Sequence, residues 1–358
     1  MSAQAKVWMG LAAALATALT ACGGGTAAKS PSSSSSSGPS LPTSQAQLVA
    51  QAKQEGHLTF YTSLAGPVVG AIAQAFEKAY PGIKVSEYRA QDATLVSKAL
   101  QEAQAGKNNW DVMETPAGDL LILQARGMLA PYTLPKDAQV PESLTWAASG
   151  GKVYGAADRV SYIGYGYNKT LVPAADVPKT LDDLLKPGLA GKVGIVSSTT
   201  GVRWVGAVVH QLGLQQAQAF LAKVKAQHWN VQSISGAAEM DLIAAGQLPS
   251  SVTIFNDHEA QQAKKGAPVG WIPLEPVVAN VGLVMLDNKA PDPAAAQLFL
   301  QFLLGPKGQA LLSQYHYVTP GEKVSFQYWV PERGITASQY QKDYAQWKQL
   351  FQSTFGQG

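Results

Sequence analysis

Between Ser44 and Gly127, short apolar runs alternate with amphipathic helical segments, and this alternation limits the architecture more than any other feature of the chain. Ser44 can cap a helix that carries Leu48, Val49 and Ala52 on one face and stops at Gly56. Leu58 to Tyr61 then reads as a strand ending in the polar turn Thr62-Ser63. Pro67 opens a second helix with Val68, Ile72, Phe76 and Ala79 on one side, closed by Pro81-Gly82. Ile83 to Tyr88 is the next strand and Asp92 to about Ala105 the next helix. Asp111 to Glu114 is a third strand, and a helix from Ala117 ends at Gly127. Parallel strands need helical crossovers, so this spacing predicts βαβ units in an α/β fold with a parallel-rich sheet.

The pattern returns after residue 190. Lys192 to Val196 reads as a strand, Gly201 to Leu212 and Gln215 to Gln227 as helices, and Val252 to Phe255 as a buried strand. Two long apolar segments, Val160 to Tyr167 and Val277 to Leu286, have no helix of their own and read as crossover strands between two lobes. The tail is helical over Ala294 to Leu312 and again over Ser338 to Phe355. Its aromatic residues at helical spacing read as packing.

The N-terminus points outside the cytoplasm. Lys6 precedes an apolar run from Val7 to Leu19, short for a bilayer span but right for a secretory segment. Leu19-Thr20-Ala21-Cys22 resembles the bacterial lipobox, which implies a signal peptide over 1–21 and lipidation of Cys22, the chain's only cysteine. A diacyl group there would hold the protein stably at the membrane. Residues 22–44 hold a triple glycine, six consecutive serines and three prolines, a composition suited to a tether. Without Lys6 the chain has 26 basic and 24 acidic residues, with no basic stripe of the kind nucleic acid requires.

A further series of motifs is collinear. Tyr61-Thr62-Ser63, Ala75-Phe76-Glu77-Lys78 and Pro81-Gly82-Ile83-Lys84-Val85 are followed by Trp110-Asp111-Val112 and Gly127-Met128-Leu129-Ala130-Pro131-Tyr132. Then come Gly151-Lys152-Val153-Tyr154-Gly155, Tyr167-Asn168-Lys169 and the stretch from Pro178 to Leu185. Gly191-Lys192-Val193, Asn280-Val281-Gly282 and the segment from Ala294 to Gly308 complete it. Over residues 45 to 320 the chain resembles bacterial ABC-importer solute-binding proteins, and is most similar to the branch that binds ferric ion. The resemblance implies a two-lobed periplasmic-binding-protein-like clamp (type II) with two hinge strands. It also implies delivery of a solute to a membrane permease with its ATPase. The lobes are expected over 45–158 plus 280–325 and over 159–279 plus 326–358. A monomer is expected, with no cofactor, no resident metal and no catalysis.

In such sheets ligands sit beyond the carboxyl ends of the strands. Thr62 and Ser63, Glu114 and Thr115, the turn Ser197-Ser198-Thr199-Thr200-Gly201, and Asn256-Asp257-His258 all occupy such places. Hydroxyls and backbone N–H groups at a helix start, with Arg203 just inside, make an anion cradle, and relatives place a similar turn against an anion. Plain capping needs one such hydroxyl rather than four. Arg89 and Arg159 are further candidate cations, each equally consistent with an ion pair or a surface position. Tyr61, Tyr162 and Trp271 read as packing.

Ferric-binding relatives present two adjacent tyrosines after the late strand, where this chain reads Asn256-Asp257-His258-Glu259. No Tyr-Tyr pair occurs in the sequence. Asp257 can serve an amine or hydroxyl instead, Glu114 or Glu275 can supply oxygens, and Glu259 is expected to face solvent. The expected solute is a small organic anion, a phosphorylated, phosphonate or carboxylate compound, with ferric ion as the alternative. A secreted enzyme or sensor on the same clamp is the competing class. The sequence lacks His-Glu-x-x-His, Gly-x-Ser-x-Gly and a P-loop.

Overall fold

A computed structural model of the chain describes residue 42 and residues 44–356. The expected signal peptide, Cys22 and nearly all of the tether lie outside these residues. Among the described residues no helix is long and apolar enough to cross a membrane.

The first half builds as the alternation predicts. Ser44 Oγ accepts from Gln47 N and Gly56 closes the helix at φ 69°, so α1 spans Gln45–Glu55. There follow β1 (His57–Thr62), α2 (Gly66–Ala79), β2 (Lys84–Arg89), α3 (Asp92–Gln104), β3 (Val112–Pro116) and α4 (Ala117–Ala125). Short strands β4 (Leu129–Ala130) and β5 (Thr145–Ala147) lead into the sixteen-residue β6 (Val153–Asn168). The second half runs β7 (Val193–Val196), α5 (Thr199–Leu212), α6 (Leu214–Ala226), β8 (Asn230–Gln232), α7 (Gly236–Ala244), β9 (Ser250–Phe255), α8 (Asn256–Lys264) and β10 (Val269–Ile272). The long β11 (Val278–Asp287) is followed by α9 (Pro293–Leu304), α10 (Pro306–Gln314) and α11 (Ala337–Phe355).

One eleven-stranded sheet unites the two halves, in the order β2-β1-β3-β11-β6-β9-β7-β8. Three parallel strands form each end: β2, β1 and β3 on one side, and β9, β7 and β8 on the other. Strands β11 and β6 lie antiparallel between them, as expected of crossovers, with a register break between Gly282 and Leu283. Aliphatic and aromatic side chains fill both faces. Phe60, Phe76 and Phe299 pack ring on ring beneath α2 and α9. A larger cluster on the other face takes in α3 to α6 and α11. Each fully buried Phe or Leu contributes on the order of 2 kcal/mol, which is what holds the helices to the sheet.

Three expectations need adjustment. The tail segment from Ala294 to Leu312 is two helices, because Gly305-Pro306 breaks it and each helix starts afresh on a proline. The segment after Phe255 is the first turn of α8 rather than a loop, since Asn256 and Asp257 are already helical. The sequence reading also passed over β8, α7 and β10, whose short mixed stretches carry little periodicity. Helix α11 packs on α5 and α6 while also reaching α4. Its Tyr340 ring lies against Gly118 of α4, so the tail touches both halves.

Candidate functional site

The parallel strands at both ends of the sheet deliver their carboxyl termini, and the helix starts that follow, to the region around β6 and β11. Thr62 ends β1 and Ser63 follows it, Glu114 lies in β3, and Arg159 rises from β6. These four form one buried network. Arg159 Nη2 donates to Glu114 Oε1 at 2.8 Å, with both side chains almost wholly out of solvent. Glu114 Oε2 accepts from Thr62 Oγ1 at 2.7 Å, from Ser63 N at 3.1 Å and from Ser63 Oγ at 3.2 Å. Gly282 makes room for it: a Cβ there would lie 2.8 Å from Glu114 Oε1 and 2.9 Å from Arg159. Burial alone would loosen the proton on Arg159, but the carboxylate of Glu114 overrides it and holds the guanidinium charged.

Three more groups surround this network. The Tyr317 ring lies 5.2 Å from the Arg159 guanidinium carbon, and burial pushes its hydroxyl up to about 12. Asp158 is fully buried with neither carboxylate oxygen partnered, and burial, then Glu114, pushes it up to about 8. Asp257, at the start of α8, is 2% exposed and its Oδ1 has no partner. Its Oδ2 is 3.8 Å from His258 Nε2, beyond hydrogen-bond length. Asn256 beside it caps the open ladder of β6, its Oδ1 accepting from Tyr162 N at 2.7 Å.

The Ser/Thr turn sits half-buried at the start of α5. Ser198 is its N-cap, accepting from Thr200 N at 3.3 Å, and Ser197 Oγ meets Ser233 Oγ at 3.0 Å. Gly201 is required by packing, because a Cβ would lie 2.0 Å from Val196 O. The Thr199 hydroxyl meets Tyr344 of α11; burial raises that phenol and this bond opposes the rise.

Arg203 lies on α5 and is held in a buried ion pair. Its Nη2 donates to Glu332 Oε1 at 2.8 Å and its Nη1 to Asn280 Oδ1, both arginine and glutamate being almost fully buried. Across from it, Thr115 Oγ1 donates to Asp119 Oδ2. Burial, then the Asp92 carboxylate, pushes Asp119 up to about 7.

The structure therefore gathers Thr62, Ser63, Glu114 and Arg159 into one cluster and sets Asp257 and His258 at the matching end of β9. It sets Ser198, Thr199, Thr200 and Gly201 at the end of the adjacent β7. Arg89 is exposed at the end of β2, with Nε donating to Leu64 O at 3.1 Å, and Glu275 is exposed. Glu259 is half-buried rather than facing solvent, and burial raises it. Sequence reasoning missed Asp158, Asp119, Tyr317 and Glu332. Asp158 carried a signal in standing next to Arg159, whereas Glu332 lies in an irregular loop and carried none.

Comparison with known proteins agrees with this layout. The model of the bacterial extracellular solute-binding protein family matches residues 71–344, well over half the chain. Iron-bound HitA from Pseudomonas aeruginosa has a similar fold, with TM-score 0.67 and 22% identity over 84% of this chain and 99% of that one. The substrate binding protein of an ABC transporter from Agrobacterium tumefaciens gives 0.70 and 17%, over 82% and 94%. AfuA from Actinobacillus pleuropneumoniae, with fructose-6-phosphate bound, gives 0.69 and 18%, over 84% and 99%. Among curated proteins no sequence matches the chain. The family captures solutes outside the cytoplasm for the permease of an ABC importer. With its two parallel half-sheets joined by β6 and β11, and a family match spanning residues 71–344, the chain belongs to the bacterial extracellular solute-binding proteins.

Proposed function

We propose that this protein is a membrane-tethered importer component, lipidated at Cys22, that binds a small organic acid between its lobes and does not turn it over. The observation that carries the ligand class is the start of α5. Hydroxyls of Ser198, Thr199 and Thr200 stand there with first-turn N–H groups, half-open at the carboxyl edge of the sheet. A helix start of this kind favours negative charge without a cation. Both buried arginines already hold a glutamate, which turns attention to the neutral donors of this helix start for a phosphate, phosphonate or carboxylate. That a protein of the same fold holds a phosphorylated sugar supports the reading.

Ferric ion is the competing solute, since several similar folds carry it. A hard trivalent cation suits phenolate and carboxylate oxygens, yet Asn256-Asp257 stands where ferric-binding relatives present two tyrosines, and no Tyr-Tyr pair occurs in the sequence. A thermal-shift screen separates the two. A ligand at a hundred times its Kd stabilises by about 2.7 kcal/mol, ample for detection. Organic acids should raise Tm and ferric citrate should not, and Thr200→Val should weaken the response by about 1.5–3 kcal/mol of binding. Tight ferric binding with a visible charge-transfer band, and no response to any acid, would reverse the assignment.

A further inference from the structure

The buried carboxylates at the strand ends, Asp158 among them, outnumber the buried arginines there. Glu114 occupies Arg159 and Glu332 occupies Arg203. Asp257 is left over, buried to 2% exposure, with Oδ1 unpartnered and the neighbouring His258 Nδ1 also buried without a partner. A first-turn aspartate is favoured by its own helix start, but such residues ordinarily stay in water. Burying one with an empty oxygen costs stability unless a donor arrives. Arg159 is the nearby cation, but it donates to Glu114 and Ser63 instead.

The neighbouring strand supplies the other half of the geometry. Strands β7 and β9 pair in parallel, so the starts of α5 and α8 emerge side by side from the same sheet edge. Adjacent strands lie about 4.8 Å apart, which brings the two helix starts within reach of one small molecule. One start offers donors and the other an unanswered carboxylate. We propose that the solute is zwitterionic, with its acidic group at the Ser198 to Gly201 turn and an ammonium group donating to Asp257 Oδ1. This rests on the organic-acid reading above and adds the second charge to it. Ammonium suits the place because it brings three donors and a positive charge to a carboxylate that the fold has already desolvated.

The test uses the unmodified mature protein and matched probes that differ only in the amine. These are 3-aminopropanoate against propanoate, and 3-aminopropyl phosphate against propyl phosphate, measured by calorimetry and thermal shift. At least one amine-bearing probe should bind about tenfold or more tighter than its partner. Asp257→Asn should bring that pair to near equality, whereas Thr200→Val should weaken both members. If the amine-free acids bind as well or better, the zwitterion is wrong while the organic-acid reading stands. If no probe of either kind binds, both fail. The paired comparison in the unmodified protein decides the matter even where Asp257→Asn does not fold.

Discussion

At Glu239 a buried acid is held by hydroxyls alone. Its Oε2 accepts from Ser251 Oγ at 2.8 Å and Thr253 Oγ1 at 2.9 Å, while Oε1 is buried without a partner. Burial pushes it up to about 7, the two hydroxyl bonds opposing. The folded state therefore keeps this proton to higher pH than the unfolded chain does. Its contribution is full below about pH 4 and is lost as pH rises through about 7. Glu239→Gln, which cannot ionise, should raise Tm at pH 8.5 by several degrees and change it little at pH 5. Equal shifts at both pH values in a thermal melt would show that ionisation is not the cause. The same contrast holds for the residues at the strand ends. Residue type and position after a strand picked out Thr62, Ser63, Glu114 and Asp257, but the pairing of each charge depended on partners 45 to 129 positions away.

Among the elements, α5 is placed with little tolerance. Gly201 lies against Val196 O at the strand that precedes it, and Gly206 lies under the Trp347 ring of α11. A methyl group at 201 forces the helix start off the sheet, a strain that typically costs about 1–3 kcal/mol. In α2, by contrast, a Cβ at Gly70 meets nothing within 4 Å. Gly70→Ala should stabilise by about 0.5–1 kcal/mol through helix propensity. Gly201→Ala should lower Tm and blunt the organic-acid response together, and denaturant melts of the two variants check both signs. Helix α5 was legible from its apolar stripe and its Ser/Thr start. The need for glycine at 201 was not, because the crowding comes from a backbone carbonyl and the Phe351 ring of α11.

For the whole molecule, the tether and the folded part are expected to act independently. Cys22→Ser should move the protein from the membrane fraction to the soluble one while leaving Tm unchanged; retention at the membrane by cell fractionation would remove the lipid anchor from the account. The sequence by itself determined the class of fold and the strand-helix order, because each rests on short-range chemistry. Caps, glycine stops and apolar periodicity act within a few residues of where they are written. Collinear motifs over residues 45 to 320 then pointed to the family that the match over 71–344 establishes. What only the tertiary structure decided is which charges are already paired at the strand ends. Arg203 reads in sequence as part of an anion cradle, yet Glu332, delivered from the segment before α11, pairs with it. Arg159 reads as free or paired with equal ease until β3 brings Glu114 against it. A local pattern places a side chain on an element, but its charge is answered by whichever distant carboxylate the packing buries beside it.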